Sequence, residues 1–355
     1  MATAPLVASS LRRGGSSVLP RDALLPLGLW LSDEASRDLD RPGEAERLRD
    51  RLAGLGLVVA GLNGFPFGDF HGRVVKHAVY EPSWADPARL EFTARLARVL
   101  ARLVPSGTRS AGVTTLPVGW RAAVSDGGSI DAARRALAVA IEAMRRASDD
   151  SGIEIHLDLE PEPGCLLERA EETAEFLAGV HDLAGQAARS HLRACHDVCH
   201  ASVMFEPQDD SLEAYRRRGV LVGRVQVSNA VAFDGSGGDF RALRIFDEPR
   251  WLHQTTVLDG AGKVHLFDDL PEAIERAPEG FWRIHFHVPV FAESLGRVQT
   301  TRGDVGECLA ALRAEDGCDF LEVETYAWSV LPAAMRPGSL DEGIARELRY
   351  VHDLL

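Results

Sequence analysis

The stretch from Ile153 to Gly164, I-E-I-H-L-D-L-E-P-E-P-G, constrains this chain more than any other. Apolar and polar residues alternate from Ile153 to Leu159, the period of a β-strand with one face against a core. The alternation runs into Glu160 and then meets two prolines and a glycine, which stop a strand and open a loop. Glu160 therefore stands at the carboxyl end of a strand. Two further carboxylates hold the same kind of place: Asp197 ends the run H-L-R-A-C-H-D, and Glu324 follows D-F-L-E-V. Side chains from the carboxyl ends of separate strands converge at the mouth of a parallel barrel of alternating strands and helices. The expectation is a (β/α)8 TIM barrel whose mouth holds a metal site.

The remaining sequence supports that architecture. Residues 1–23 read as a loose leader and 24–355 as one barrel domain, since a barrel of about 250 residues with insertions accounts for the length. Strands are expected at Leu24–Ser32, Leu55–Leu62, Gly112–Trp120, Ile153–Leu159, Leu192–Val198, Arg224–Ser228, Arg283–Val288 and Phe320–Glu324. Helical spacing of apolar residues covers Arg41–Leu55, Leu90–Leu103, Ile130–Ala147, Leu166–Ala187, Asp304–Ala314 and Leu340–Leu354. The alternation fails between Asn229 and Gly280. An insertion of about residues 230–280 follows the sixth strand, with a hairpin turning at Asp259-Gly260. Past the second strand comes N-G-F-P-F-G-D-F-H-G and then R-V-V-K-H-A-V-Y-E-P-S-W. A loop of that length after a barrel strand either grips a substrate, through His71, Lys76 or His77, or covers the rim with its aromatics.

Several function classes are disfavoured. A net charge of -14 argues against nucleic acid as a partner, because binding a phosphate backbone draws on a basic surface. No apolar run approaches the ~18 residues of a bilayer span. The five cysteines form no paired framework, as expected of free thiols in a reducing compartment, so the location is expected to be cytoplasmic. Cys195, Cys199 and His200 are spaced one residue too far apart for a haem attachment site.

An acidic residue just past a strand is ordinarily a helix cap or a solvated loop charge. Three at equivalent strand ends, with His285 and His287 sharing an inward face two residues apart, point instead to a cation. Carboxylate oxygens with one imidazole suit a divalent metal ion: Mn, Mg, Zn or Fe. The metal candidates are Glu160, Asp197, Glu324, the inward-facing Gln226 and His287. Glu162 reads as an ordinary loop carboxylate, while Glu322 and Asp158, which share the parity of Glu324 and Glu160 and lie deeper, read as supporting groups or alternative ligands.

The motifs L-E-P (159–161), D-V-C-H (197–200), V-Q-V-S-N (225–229) and E-V-E (322–324) resemble those of the xylose-isomerase-like barrel superfamily. The resemblance implies that Glu160, Asp197 and Glu324 bind a divalent metal. Gln226 stands where that family usually has histidine, so either its amide oxygen or His287 supplies the remaining ligand, and His287 is the preferred one. The long loop is similar to that of the EboE group, whose genes lie in metabolite-traffic clusters. The resemblance further implies an isomerase or epimerase of a small polyol or sugar-like substrate. In it Glu160 and Glu324 move a proton, while His71, Lys76, His200, His285 and Asn229 contact the substrate. Alternatives are an inosose-dehydratase-like enzyme, a non-catalytic metabolite-binding protein working with other proteins of the same cluster, and an endonuclease IV-like phosphodiesterase.

Overall fold

A computed structural model describes residues 23–68, 74–185, 188–315, 318, 320–331, 336 and 338–355. Seven strands form one parallel sheet curled into a near-closed barrel: β1 (Leu25–Trp30), β2 (Leu57–Asn63), β3 (Ser110–Thr115), β4 (Glu154–Leu159), β5 (Leu192–Asp197), β6 (Val222–Val227) and, from much later in the chain, β13 (Leu321–Val323). Helices cover the outside, so the central strands β3 to β6 are largely buried on both faces, as a parallel sheet requires. Pro87–Leu103 shows how the sequence builds one. Asp86 caps it by accepting from the Ala88 N–H, Pro87 occupies its first turn, and Phe92, Leu96, Val99, Leu100 and Leu103 are buried on one face. Each such side chain contributes about 1.5–3 kcal/mol of burial.

The lower interior of the barrel is filled by charge rather than by aliphatic layers. Fully buried Arg224 donates from Nη1 to Glu322 Oε2 (2.7 Å) and from Nη2 to the carbonyls of Gly112 (3.0 Å) and Leu62 (3.3 Å). His156 Nδ1 meets Asp158 Oδ1 at 2.6 Å. Glycines on neighbouring strands make the room. A Cβ on Gly61 would lie 2.1 Å from Arg224 Nη2, and one on Gly112 would lie 2.1 Å from Asp158 Oδ2.

The insertion after β6 is larger than a hairpin. The strands β7 (Val231–Asp234), β8 (Thr255–Leu258), β9 (Val264–Phe267), β10 (Phe281–Ile284), β11 (Ser294–Leu295) and β12 (Val298–Thr300) form an antiparallel sheet in the order β11-β12-β7-β10-β8-β9. Its own core holds Trp282, Ile284, Phe246, Phe286 and Leu270. β8 and β9 pair antiparallel across the turn at Asp259, whose Oδ1 accepts from the N–H groups of Ala261 and Lys263.

This sheet takes the strand expected as the seventh of the barrel. Of Arg283–Val288 only Arg283 and Ile284 are in a strand, and that strand pairs antiparallel with β7 and β8. The reason lies in its side chains: Trp282 and Ile284 complete the second core, which leaves no apolar face for a barrel position. β13 then pairs directly with β6, Glu322 beside Gln226. Residues 285–288 run on as an irregular strap, held by His285 N–H to Gln254 O and Val288 N–H to Asn229 O. Among the described residues no helix is long and apolar enough to cross a membrane.

Candidate metal centre

Glu160 follows β4, Asp197 ends β5 and Glu324 follows β13, all at the carboxyl ends of their strands. Oxygens from the three carboxylates lie within 4.8 Å of one another. Glu160 and Asp197 are buried, and Glu324 is partly open to a cleft. Each has one oxygen with no hydrogen-bond partner: Glu160 Oε2, Asp197 Oδ2 and Glu324 Oε2. An unsatisfied buried carboxylate oxygen costs on the order of 1–3 kcal/mol or more, so three side by side mark a place where a cation or protons must sit.

The electrostatics divide the trio. Burial, and then the charges of Glu324, Asp197 and Glu162, push Glu160 well above its ordinary range against the pull of Arg224. Burial and the carboxylates of Asp197, Glu322 and Glu162 do the same to Glu324. Burial also works to raise Asp197, but His200 and His287, Ser228 Oγ (2.7 Å) and the His200 N–H (3.0 Å) outweigh it and hold that carboxyl below its usual value. One carboxylate is thus a fixed anion, while two compete for a proton or a positive ligand.

Above the trio lies a cleft. His200, His285, His287 and Glu162 form its polar floor, and Trp30, Phe65, Trp251 and Tyr326 give it aromatic walls. Burial, then the neighbouring imidazoles, hold His285 well below its usual value; burial brings His287 down to about 4 although Asp197 opposes the fall. Tyr80 donates to Glu162 Oε1 (2.7 Å) and Gln254 Nε2 donates to the same oxygen (2.8 Å), so Glu162 is tied into the wall.

Of the other residues singled out in the sequence, Lys76 reaches the cleft but is ion-paired with Asp269. Asn229 has its amide committed elsewhere: Nδ2 donates to Pro289 O and Ala292 O, and Oδ1 accepts from Thr301. It braces the loop after the strap and does not line the cleft. Gln226 is fully buried, beside Asp197 in the register, with Oε1 3.4 Å from Cys195 Sγ and Nε2 unpartnered. His287 Nε2 is 4.0 Å from Asp197 Oδ2 and only 3.2 Å from His285 Nε2. His71 lies outside the described residues. Tyr80 was legible as an aromatic of the long-loop motif but not as a partner of Glu162; Gln254 belongs to no motif, and only the fold brings the two to that carboxylate.

No family model and no curated protein matches the sequence. Among solved structures, a xylose isomerase-like TIM barrel protein from Mycobacterium smegmatis, in complex with magnesium, superposes with a TM-score of 0.51 at 12% identity, covering 99% of this chain and 86% of that one. The fold is that of a xylose isomerase-like TIM barrel. A xylose isomerase domain protein from Planctomyces limnophilus matches at TM-score 0.49 and 12% identity over 94% and 97% of the two chains. The 3-keto-D-glucoside 4-epimerase of E. coli matches at 0.44 and 12% over 90% and 87%. At such identities the likeness concerns the path of the chain and not its chemistry.

Proposed function

We propose that the chain is a divalent-metal-dependent isomerase or epimerase of a small polyhydroxylated, sugar- or cyclitol-like metabolite. The observation that carries this reading is the convergence of three carboxylates, each with one unpartnered oxygen, of which Glu160 and Glu324 line a cleft with aromatic walls. Oxygens within 4.8 Å of one another can close on one octahedral cation, whose ligand oxygens at ~2.0–2.2 Å from the ion lie roughly 2.8–4.4 Å apart. Glu160, Asp197 and Glu324 would hold it, with His287 or Gln226 completing the set. Bound there, the cation would supply a Lewis acid to a carbonyl oxygen beside a hydroxyl.

The chain's own groups account for the rest. Glu160 and Glu324, whose proton affinity is raised, are suited to take a proton from a carbon beside the carbonyl and to return one. His200 donates from Nδ1 to Pro161 O (2.8 Å), which leaves Nε2 to accept from a substrate hydroxyl. Trp30, Trp251 and Tyr326 offer flat apolar faces to the C–H side of a ring and narrow the access of water. Lys76, neutralised by Asp269, favours an uncharged ligand over a phosphorylated one.

Removal of water from a polyol ketone begins with the same proton and is the second reading. A non-catalytic metabolite-binding role, as the likeness of the long loop to the EboE group suggests, is the third. Residues 24–355 would act as one domain behind a leader, in the cytoplasm. The test is incubation of metal-loaded protein with keto-polyols in deuterated water. Deuterium entering beside the carbonyl with the product isomeric to the substrate supports isomerisation, and loss of water supports the dehydratase. No exchange with any polyol, and the same result for Glu324→Gln, would refute both enzymatic readings.

A further inference from the structure

The lower end of the barrel, away from the carboxylates, is open. Among the described residues a cavity of about 660 Å3 lies between the amino-terminal ends of β2 to β6 and the segment that leads into β13. A barrel interior is ordinarily filled there by layers of bulky branched side chains, but Gly112 and Gly223 line this one. A Cβ on Gly112 would lie 2.5 Å from His156 Cε1 and one on Gly223 would lie 2.9 Å from it, so neither strand can carry a side chain while His156 keeps its place.

The cavity has three zones. At its inner end is His156, 3% exposed, whose Nδ1 meets Asp158 Oδ1 at 2.6 Å. A carboxylate only accepts, so Nδ1 carries the hydrogen of the neutral ring and Nε2 is left to accept from a ligand. The walls are apolar, with Val58, Leu221, Val222 and Phe320. The rim carries Thr108, Arg109, Ser110, Glu154 and Arg193. Arg193 is taken up by Glu154 and by Ser190 O (2.9 Å), so the charge in excess at the rim is the positive one of Arg109. In a chain of net charge -14 that is a local reversal of sign, and a recess of one sign concentrates ligands of the other.

The inner end therefore asks for a hydrogen-bond donor, the walls for an apolar body and the rim for an anion. The span between the ends follows from the register. Gly112 stands beside His156, and Arg109 comes three residues before it, about 10 Å of strand. A phenol ring bearing a propanoate chain opposite its hydroxyl is nearly of that length.

We propose that this lower cavity is a binding site, separate from the mouth, for a hydroxyaryl carboxylate. The hydroxyl donates to His156 Nε2, the ring lies against Val58, Leu221 and Phe320, and the carboxylate pairs with Arg109. Asp158 is a positioning residue, since it holds His156 in the tautomer that turns a lone pair to the ligand. The site does not depend on the metal centre at the other end.

The test is calorimetric titration of the metal-stripped full chain with 3-(4-hydroxyphenyl)propanoate and with two relatives that each lack one end. These are 3-phenylpropanoate, without the phenol hydroxyl, and 4-(3-hydroxypropyl)phenol, without the carboxylate. The complete probe should bind once per chain, and each relative about 10-fold or more weaker, the worth of one hydrogen bond involving a charged or buried partner. In His156→Phe the two acids should bind alike, and in Arg109→Gln the two phenols should. Leu221→Trp fills the cavity from a side chain 49% exposed and should abolish binding, whereas Trp251→Ala in the upper cleft should leave it unchanged. No binding at millimolar concentration, equal binding of all three probes to wild type, or binding that Leu221→Trp spares or Trp251→Ala removes overturns the proposal. Should His156→Phe not fold, 15N spectra of the wild type decide instead. The Nε2 signal of His156 should move with the complete probe and stay with 3-phenylpropanoate; the same response to both refutes the site.

Discussion

Replacing Arg224 with methionine tests the charged interior on which the carboxylate ring rests. The side chains are similar in length, so the change removes a charge and three hydrogen bonds while leaving little void. Glu322, with its side chain 16% exposed, is left in the barrel without its cation, and Asp158 and Glu160, which also act on Arg224, lose theirs. Removing one partner of a buried pair costs about 3–5 kcal/mol. The expected loss is about 3 kcal/mol, the low end of that range because Glu322 is partly exposed. Urea unfolding of metal-stripped protein at pH 7 measures it. Glu322→Gln, damaging alone, should restore most of the stability in the Arg224→Met background. A loss below about 1 kcal/mol at pH 7, or no recovery in the double variant, would show that the interior ion pair is not what holds the lower barrel.

Gly112→Ala places a Cβ 2.1 Å from Asp158 Oδ2 and should cost about 1–3 kcal/mol in denaturant unfolding by overpacking; Gly54→Ala, with open space around it, serves as the control and should cost nothing. Glu160 and Glu324 both titrate above the usual carboxyl range when no cation is bound. Their folded forms hold protons that the unfolded chain has released, so stripped protein should lose stability as pH rises above about 4.5. Saturating Mn2+ should reverse the loss, and an unchanged melting temperature at pH 7 with and without Mn2+ would contradict this. Glu347 is raised by burial to about 7 although Thr325, the Val290 N–H and Trp328 donate to it. Its contribution is full below the unfolded value of 4.5 and falls by ~1.4 kcal/mol per pH unit from there to about pH 7. Glu347→Gln should flatten the stability profile across that window, and parallel profiles for the two proteins would rule the assignment out.

How much of this could be read beforehand depended on whether a residue's position was local or delegated. Glu160, Asp197 and Glu324 were legible because each ends its own strand: alternation followed by a break locates the strand end, and the parallel fold does the rest. The seventh strand was misplaced for the converse reason. Arg283–Val288 alternates as a barrel strand would, but its pairing is decided by Trp282, Ile284 and Phe286 finding a second core built from residues 231–298 together with Ala327, Trp328 and Leu331, which no local period reports. That displacement made the histidine cluster. A barrel strand would have carried His285 and His287 straight up the wall with the spacing of the pleat. As a strap anchored at Gln254 O and Asn229 O, the same residues bend across the mouth until their rings lie 5.1 Å apart and meet His200. The glycines of β1, β2, β3 and β6 are what admit Glu322, Arg224 and Asp158 to the interior. The positive charge of Arg224 in turn opposes the rise in proton affinity of Glu160 and Glu324, so the two carboxylates most exposed to mutual repulsion stay within reach of a cation at neutral pH.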